Sequence, residues 1–160
     1  MNVMSFVEAA KNRKVSMVTC YDALFAEIIN QTDIECVLVG DSAGMVVHGF
    51  DSTVPVTVEM MQTHVAAVAR ALRKKLIVGD LPFLSYQQGL TVTMQAVSRI
   101  MQAGAHAVKL EGCDGHLDVV ERVVQAGVPV MGHLGLTPQS VHQMGGYKVQ
   151  GRSEQAAAAI

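Results

Sequence analysis

The chain has 160 residues, half of them apolar, and a net charge of −2 from 12 basic and 14 acidic side chains. That length suits one domain with a well-filled core, and the composition is the opposite of a disordered segment's. The near-balanced charge, with no basic run beyond residues 73–75, excludes the positive footprint of a nucleic-acid binder. No apolar run approaches the roughly 18 residues of a membrane span. The N-terminal MNVMSFVEAAKNRKVSM lacks the apolar core of a signal peptide. Cys20, Cys36 and Cys113 are odd in number and show no CxxC spacing, which points to reduced thiols in a cytoplasmic protein.

In chain order, short runs rich in Val, Ile and Leu alternate with longer segments of helical spacing. Strands are predicted at 15–20, 36–40, 76–79, 107–110 and 128–132. Their continuous hydrophobicity suits strands covered on both faces, as in parallel sheets. Between them, Leu24, Phe25, Ile28 and Ile29 form a stripe behind Asp22, an N-cap candidate. Met61, Val65, Val68 and Leu72 form the next, then Met94, Val97 and Met101, closed by Gly104. Leu117, Val120 and Val124 make a fourth, closed by Gly127, and the methionines are read as core filling. Five β-α repeats fit either a doubly wound open sheet or part of a (β/α)8 TIM barrel. A whole barrel takes roughly 250 residues. The leading expectation is therefore a single partial (β/α)8 barrel domain over 1–160, holding about the first four and a half units.

Ligands of both architectures bind at the carboxyl ends of the strands. There the sequence places Asp41, Asp80, the pair Lys109 and Glu111, and His133. A single acid after a strand is more often an N-cap or turn residue, but the repetition at Asp80 favours a site. An ion pair is the open alternative for Lys109 and Glu111, which share a strand face, and a structural role is open for His133. Gly40 and Gly79 are read as turn glycines or as gaps for a close ligand. Three converging carboxylates call for a cation, and an all-oxygen donor set matches Mg2+ better than zinc. With Lys109 and a divalent ion the charges sum to zero, so a small oxyacid anion is the expected guest. His64 and His106 are read as packing or surface residues. His48, His116 and His142 show no pairing at metal-ligand spacing.

The stretches LVGDSAGMVVHGFDSTVPVTVEMM, VGDLPF, AVKLEG and VMGHLGLTPQSVHQMGGYKVQGR resemble the ketopantoate hydroxymethyltransferase family, and the likeness runs from VTCYDALFA onward. The resemblance implies a Mg2+-dependent (β/α)8 barrel enzyme that assembles as a homo-oligomer and acts in pantothenate synthesis. Its substrates would be a small 2-oxoacid, 3-methyl-2-oxobutanoate, and 5,10-methylenetetrahydrofolate. It implies that Asp41 and Asp80 bind Mg2+, with Glu111 completing the shell directly or through water. Asp41, Ser42, Asp80, Lys109 and His133 would contact the substrate. The family's general base is a glutamate on a sixth strand, expected beyond Ile160, so no catalytic base is expected in this chain. The 160 residues alone are accordingly expected to be a poor catalyst. A related Mg2+-dependent 2-oxoacid lyase, or a non-catalytic half-barrel, are the alternatives.

Overall fold

The computed structural model describes residues 1–158 and 160. Helix α1 (Val3–Asn12) precedes strand β1 (Met17–Thr19), α2 (Ala23–Asn30) and β2 (Cys36–Val39). Then come α3 (Ala43–Val46), α4 (Val58–Ala71), β3 (Leu76–Asp80), α5 (Leu90–Gln102), β4 (Ala107–Glu111) and α6 (Leu117–Gln125). Strand β5 (Val130–His133) leads through a 3-10 turn (Pro138–Ser140) to α7 (Val141–Met144) and α8 (Glu154–Ala158). No helix among the described residues is long and apolar enough to cross a membrane.

The five strands are all parallel and lie in the order β1-β2-β3-β4-β5. A doubly wound sheet reverses its order at a switch point. These strands have no reversal, and right-handed crossovers then carry the successive helices to one face. That face is apolar throughout. Val37 and Val39 of β2, Ile77 of β3, and Val108 and Leu110 of β4 pack there with Met61, Val65 and Val68 of α4 and Val97 and Ile100 of α5.

The opposite face is layered. Its first layer is Cys36, Leu76, Val78 and Ala107, covered by Val3 and Phe6 of α1. Because strand side chains alternate with a period of two, the next positions on that face are Asp80, Lys109 and Glu111. Their register makes them neighbours: Asp80 pairs with Lys109, and Glu111 with His133. The apolar layer thus lies toward the amino ends of the strands and the charged layer toward the carboxyl ends.

Local signals set most element ends. Asp22 caps α2 by accepting a hydrogen bond from Phe25 N, and Thr57 caps α4 through Met60 N. Gly104 and Gly127 follow the last residues of α5 and α6 with φ of 115° and 87°, conformations that favour glycine. Two helix faces differ from the sequence expectation. In α2 the buried residues are Ala26 and Ile29, while Leu24, Phe25 and Ile28 are exposed. In α6 Val119 and Val123 are buried, and Leu117 and Val124 are exposed. Each helix carries two apolar stripes, and the small or β-branched one fits flush against its neighbours. The methionines divide too, Met61 being buried and Met4 and Met17 exposed. All three cysteines are free, and burial pushes the Cys36 thiol up to about 11.

Candidate active site

Four ionisable side chains less than one-tenth exposed meet at the carboxyl end of the sheet: Asp41, Asp80, Lys109 and Glu111. Lys109 Nζ lies 3.0 Å from Asp80 Oδ1 and 3.6 Å from Glu111 Oε1. His133, partly exposed, stands 3.0 Å from the same Glu111 oxygen through Nδ1. A carboxylate only accepts, so Nδ1 carries the proton and Nε2 takes no part in this contact. Asp41 N donates to Asp80 Oδ2 at 3.0 Å, tying the ends of β2 and β3. The strand-end residues singled out from the sequence are thus brought together. Both alternatives for Lys109 and Glu111 describe the same atoms, because the ion pair is part of the cluster.

Two glycines read together in the sequence have different reasons. A Cβ on Gly40 would stand 2.9 Å from Ser42 Oγ and 3.4 Å from Asp80 Oδ2, so glycine keeps space open beside the acids. Gly79 faces the helices, where a Cβ would come within 2.6 Å of Ile100. Its role is close packing, and the turn and ligand readings do not apply to it.

Three residues missed in the sequence complete the cluster. Tyr21 OH lies 2.9 Å from Ser42 Oγ. Tyr86, buried, touches Glu111 through its backbone N and O, and its hydroxyl donates to Gln139 Oε1 at 2.8 Å. Gln139 Nε2 donates to Asp41 Oδ2, and its backbone N to Glu111 Oε2. These residues sit in loops or turns where no periodicity marks a facing side chain; the only signal was the Thr-Pro pair that starts the 3-10 turn. His48 and His64 lie 2.8 Å apart through their Nε2 atoms, a contact their separation in the sequence did not suggest. His116 is buried and bonded to Gly112 O, and His106 accepts from Ile77 N. Both are structural.

Burial dominates the electrostatics. It pushes Asp80 up to about 7, against the pull of the Lys109 ammonium. Asp41 is raised for the same reason, with Gln139 opposing. Burial works against the charge of Lys109, but Asp80, then Glu111 and Asp41, hold the ammonium above its usual range.

Among the described residues no three His, Cys, Asp or Glu side chains are grouped to hold a metal ion. The set fits a cation that needs fewer protein ligands. Asp80 Oδ1 is buried and in charge contact with Lys109, yet no hydrogen bond is aligned on it. Asp41 uses Oδ2 for Gln139, and Oδ1 takes no hydrogen bond from the described residues. Mg2+ is commonly held by one or two carboxylates plus water and substrate oxygens. Glu111, by contrast, has Oε1 engaged by His133 and Oε2 by Gln139 N.

The parallel α/β sheet is an architecture found in solved enzymes. Among structures of similar fold is 2,3-dimethylmalate lyase, described as a PEP mutase/isocitrate lyase superfamily member, with a TM-score of 0.63 and 15% identity. That likeness covers 97% of this chain and 55% of the lyase chain. The sequence profile described as ketopantoate hydroxymethyltransferase matches residues 1–160, and the chain belongs to that family. The 3-methyl-2-oxobutanoate hydroxymethyltransferase of Francisella tularensis subsp. novicida is 55% identical over 157 residues, 98% of this chain and 59% of its own length. That of Bdellovibrio bacteriovorus is 56% identical over 147 residues, 92% of this chain and 56% of its own length. The chain thus spans somewhat over half the length of these relatives.

Proposed function

We propose that this chain supplies the metal- and oxoacid-binding half of a 3-methyl-2-oxobutanoate hydroxymethyltransferase. The reaction would transfer a hydroxymethyl group from 5,10-methylenetetrahydrofolate to the oxoacid, giving 2-dehydropantoate and tetrahydrofolate. The five strands would be consecutive strands of a (β/α)8 barrel. The observation that carries the reading is the buried Asp41, Asp80, Lys109 and Glu111 cluster at the carboxyl end of a parallel sheet, in a chain of this family.

Asp41 and Asp80 would hold Mg2+, with Glu111 acting through water. The ion, when bound, supplies Lewis-acid polarisation of the 2-oxoacid, worth several kcal/mol as charge develops on its oxygen. Lys109, held charged among three acids, would meet the substrate carboxylate from the side away from bulk solvent. Tyr21 OH can donate to Ser42 Oγ, which frees the serine proton for a substrate oxygen. His133, oriented through Nδ1 by Glu111, would present Nε2 to substrate or product. Removal of the C3 proton needs a base within hydrogen-bond reach. The family resemblance implies a glutamate on a sixth strand for that step, so we assign it to the part of the relatives that this chain does not span.

The reading is tested by incubating the protein with 3-methyl-2-oxobutanoate, 5,10-methylenetetrahydrofolate and Mg2+ and following 2-dehydropantoate. Product is expected, together with a loss of at least about a hundredfold in Asp80→Asn, the scale of a lost electrostatic contact to the reacting centre. Cleavage of a 2-hydroxyacid with no hydroxymethyl transfer would support a lyase instead and defeat the assignment.

A further inference from the structure

We propose that Gln139 is a positioning residue that leaves Asp41 one oxygen for a divalent cation and thereby sets a preference for Mg2+ over Ca2+. The proposal rests on the cation-site reading above and assigns a task to a residue outside the expected ligand set.

Gln139 is 4% exposed and lies on the 3-10 turn after β5, with its side chain reaching across three strand ends. Its Nε2 donates to Asp41 Oδ2 at 2.8 Å and to Leu81 O at 2.9 Å. Both partners only accept, so the amide has one possible orientation. Its Oε1 accepts from Tyr86 OH at 2.8 Å, and that hydroxyl accepts in turn from Glu111 N at 3.2 Å. Both amide protons and the amide oxygen are therefore used within the protein. With both amide protons and one acceptor position of Oε1 engaged in this way, Gln139 bears on a cation through Asp41, whose carboxylate it holds.

The consequence lies in the oxygens that remain. Asp80 Oδ2 is capped by Asp41 N, so the oxygen without a hydrogen bond is Oδ1, which Lys109 Nζ faces at 3.0 Å. Asp41 Oδ2 is capped by Gln139, which also leaves Oδ1. Mg2+ demands a small, near-octahedral shell, whereas Ca2+ takes six to eight oxygens and accepts bidentate carboxylates. A carboxylate pinned to one free oxygen favours the smaller ion. A carboxylate with both oxygens free can open to the larger one. Leucine at 139 would keep the backbone bond to Glu111, release Asp41 Oδ2 and leave Leu81 O without its amide partner.

The test is calorimetric titration of the parent protein, Gln139→Leu and Tyr86→Phe with MgCl2 and, separately, CaCl2. Thermal melting of each metal-free protein accompanies it. In Gln139→Leu, Mg2+ affinity should fall about 10- to 100-fold, the usual effect of removing a partner that orients a metal ligand. Ca2+ affinity should change less than about threefold, so the Mg2+/Ca2+ ratio drops roughly tenfold or more. Tyr86→Phe, which removes the hydroxyl that holds the amide and meets the Glu111 backbone, should shift the ratio the same way by a smaller factor. An unchanged ratio overturns the proposal, whether both affinities stay or both fall together, since a parallel fall marks a purely structural role. Should Gln139→Leu fail to fold, Tyr86→Phe decides by the same criterion. A parent protein that binds neither cation overturns the cation site itself, and this proposal with it.

Discussion

Lys109 is the residue on which the cluster balances, a single ammonium among Asp80, Glu111 and Asp41. Removing one member of a buried pair leaves the other uncompensated, which typically costs about 3 kcal/mol or more. Lys109→Met should therefore lower stability to urea by about that amount. The loss should grow with pH. Burial already raises Asp80 to about 7. The folded state then keeps a proton that the unfolded state has lost above about pH 4, so it loses ground as pH rises. Without the ammonium that window extends upward. Glu35 has the opposite sign. It accepts from Ser16 N and Oγ and pairs with Arg13, and these hydrogen bonds hold its carboxyl at about 2. Its contribution is present above the ordinary carboxylate range and is lost as pH falls through about 2. Acid melting curves of Glu35→Gln should be flatter between those limits than those of the parent. At this scale the sequence disclosed the charged residues, because an acid at the end of an apolar run stands out. It concealed Gln139, Tyr86 and Tyr21, whose types are ordinary in loops and whose roles exist only through contacts across the sheet.

Strands were legible as elements because both faces of a parallel sheet are covered, and each strand then reads as a continuous apolar run. The ends of β3, β4 and β5 lay one residue further on than expected, placing Asp80, Glu111 and His133 within the strands. Hydrogen bonding to a neighbouring strand, invisible in one segment, decides that last residue. Helix faces were less legible. In α2 six of eight positions are apolar and in α6 the valines come in adjacent pairs, Val119 with Val120 and Val123 with Val124, so spacing alone cannot choose between adjacent stripes, and the neighbouring α4 and α5 decide. The tightness of that contact is testable at Gly79. A Cβ there would lie 2.6 Å from Ile100 Cγ2 and 3.2 Å from Val65 Cγ2. Gly79→Ala should cost about 1–3 kcal/mol through overpacking. Adding Ile100→Ala should cost less than the sum of the two single changes, because the cavity of one accepts the methyl of the other.

Across the whole molecule, one face of the sheet divides its work along the strands. The amino-terminal layer of Cys36, Leu76, Val78 and Ala107 is sealed by α1. The next positions toward the carboxyl ends carry Asp80, Lys109 and Glu111, and Asp41 joins them from just past the end of β2. Register enforces this division: a one-residue slip of β4 would turn Lys109 and Glu111 onto the helix side and bring Val108 and Leu110 to the rim. The unbroken strand order could not be read from the chain, since both α/β architectures share the same alternation and differ only in which strands are neighbours. The central claim is that Asp41 and Asp80, neighbours only through this register, serve together as a site for one divalent cation. Calorimetric Mg2+ titration of the double variant Asp41→Asn, Asp80→Asn, with its fold verified by circular dichroism, addresses that claim most directly. Uptake seen in the parent protein is expected to vanish in the variant; undiminished uptake with both carboxylates gone would contradict the account.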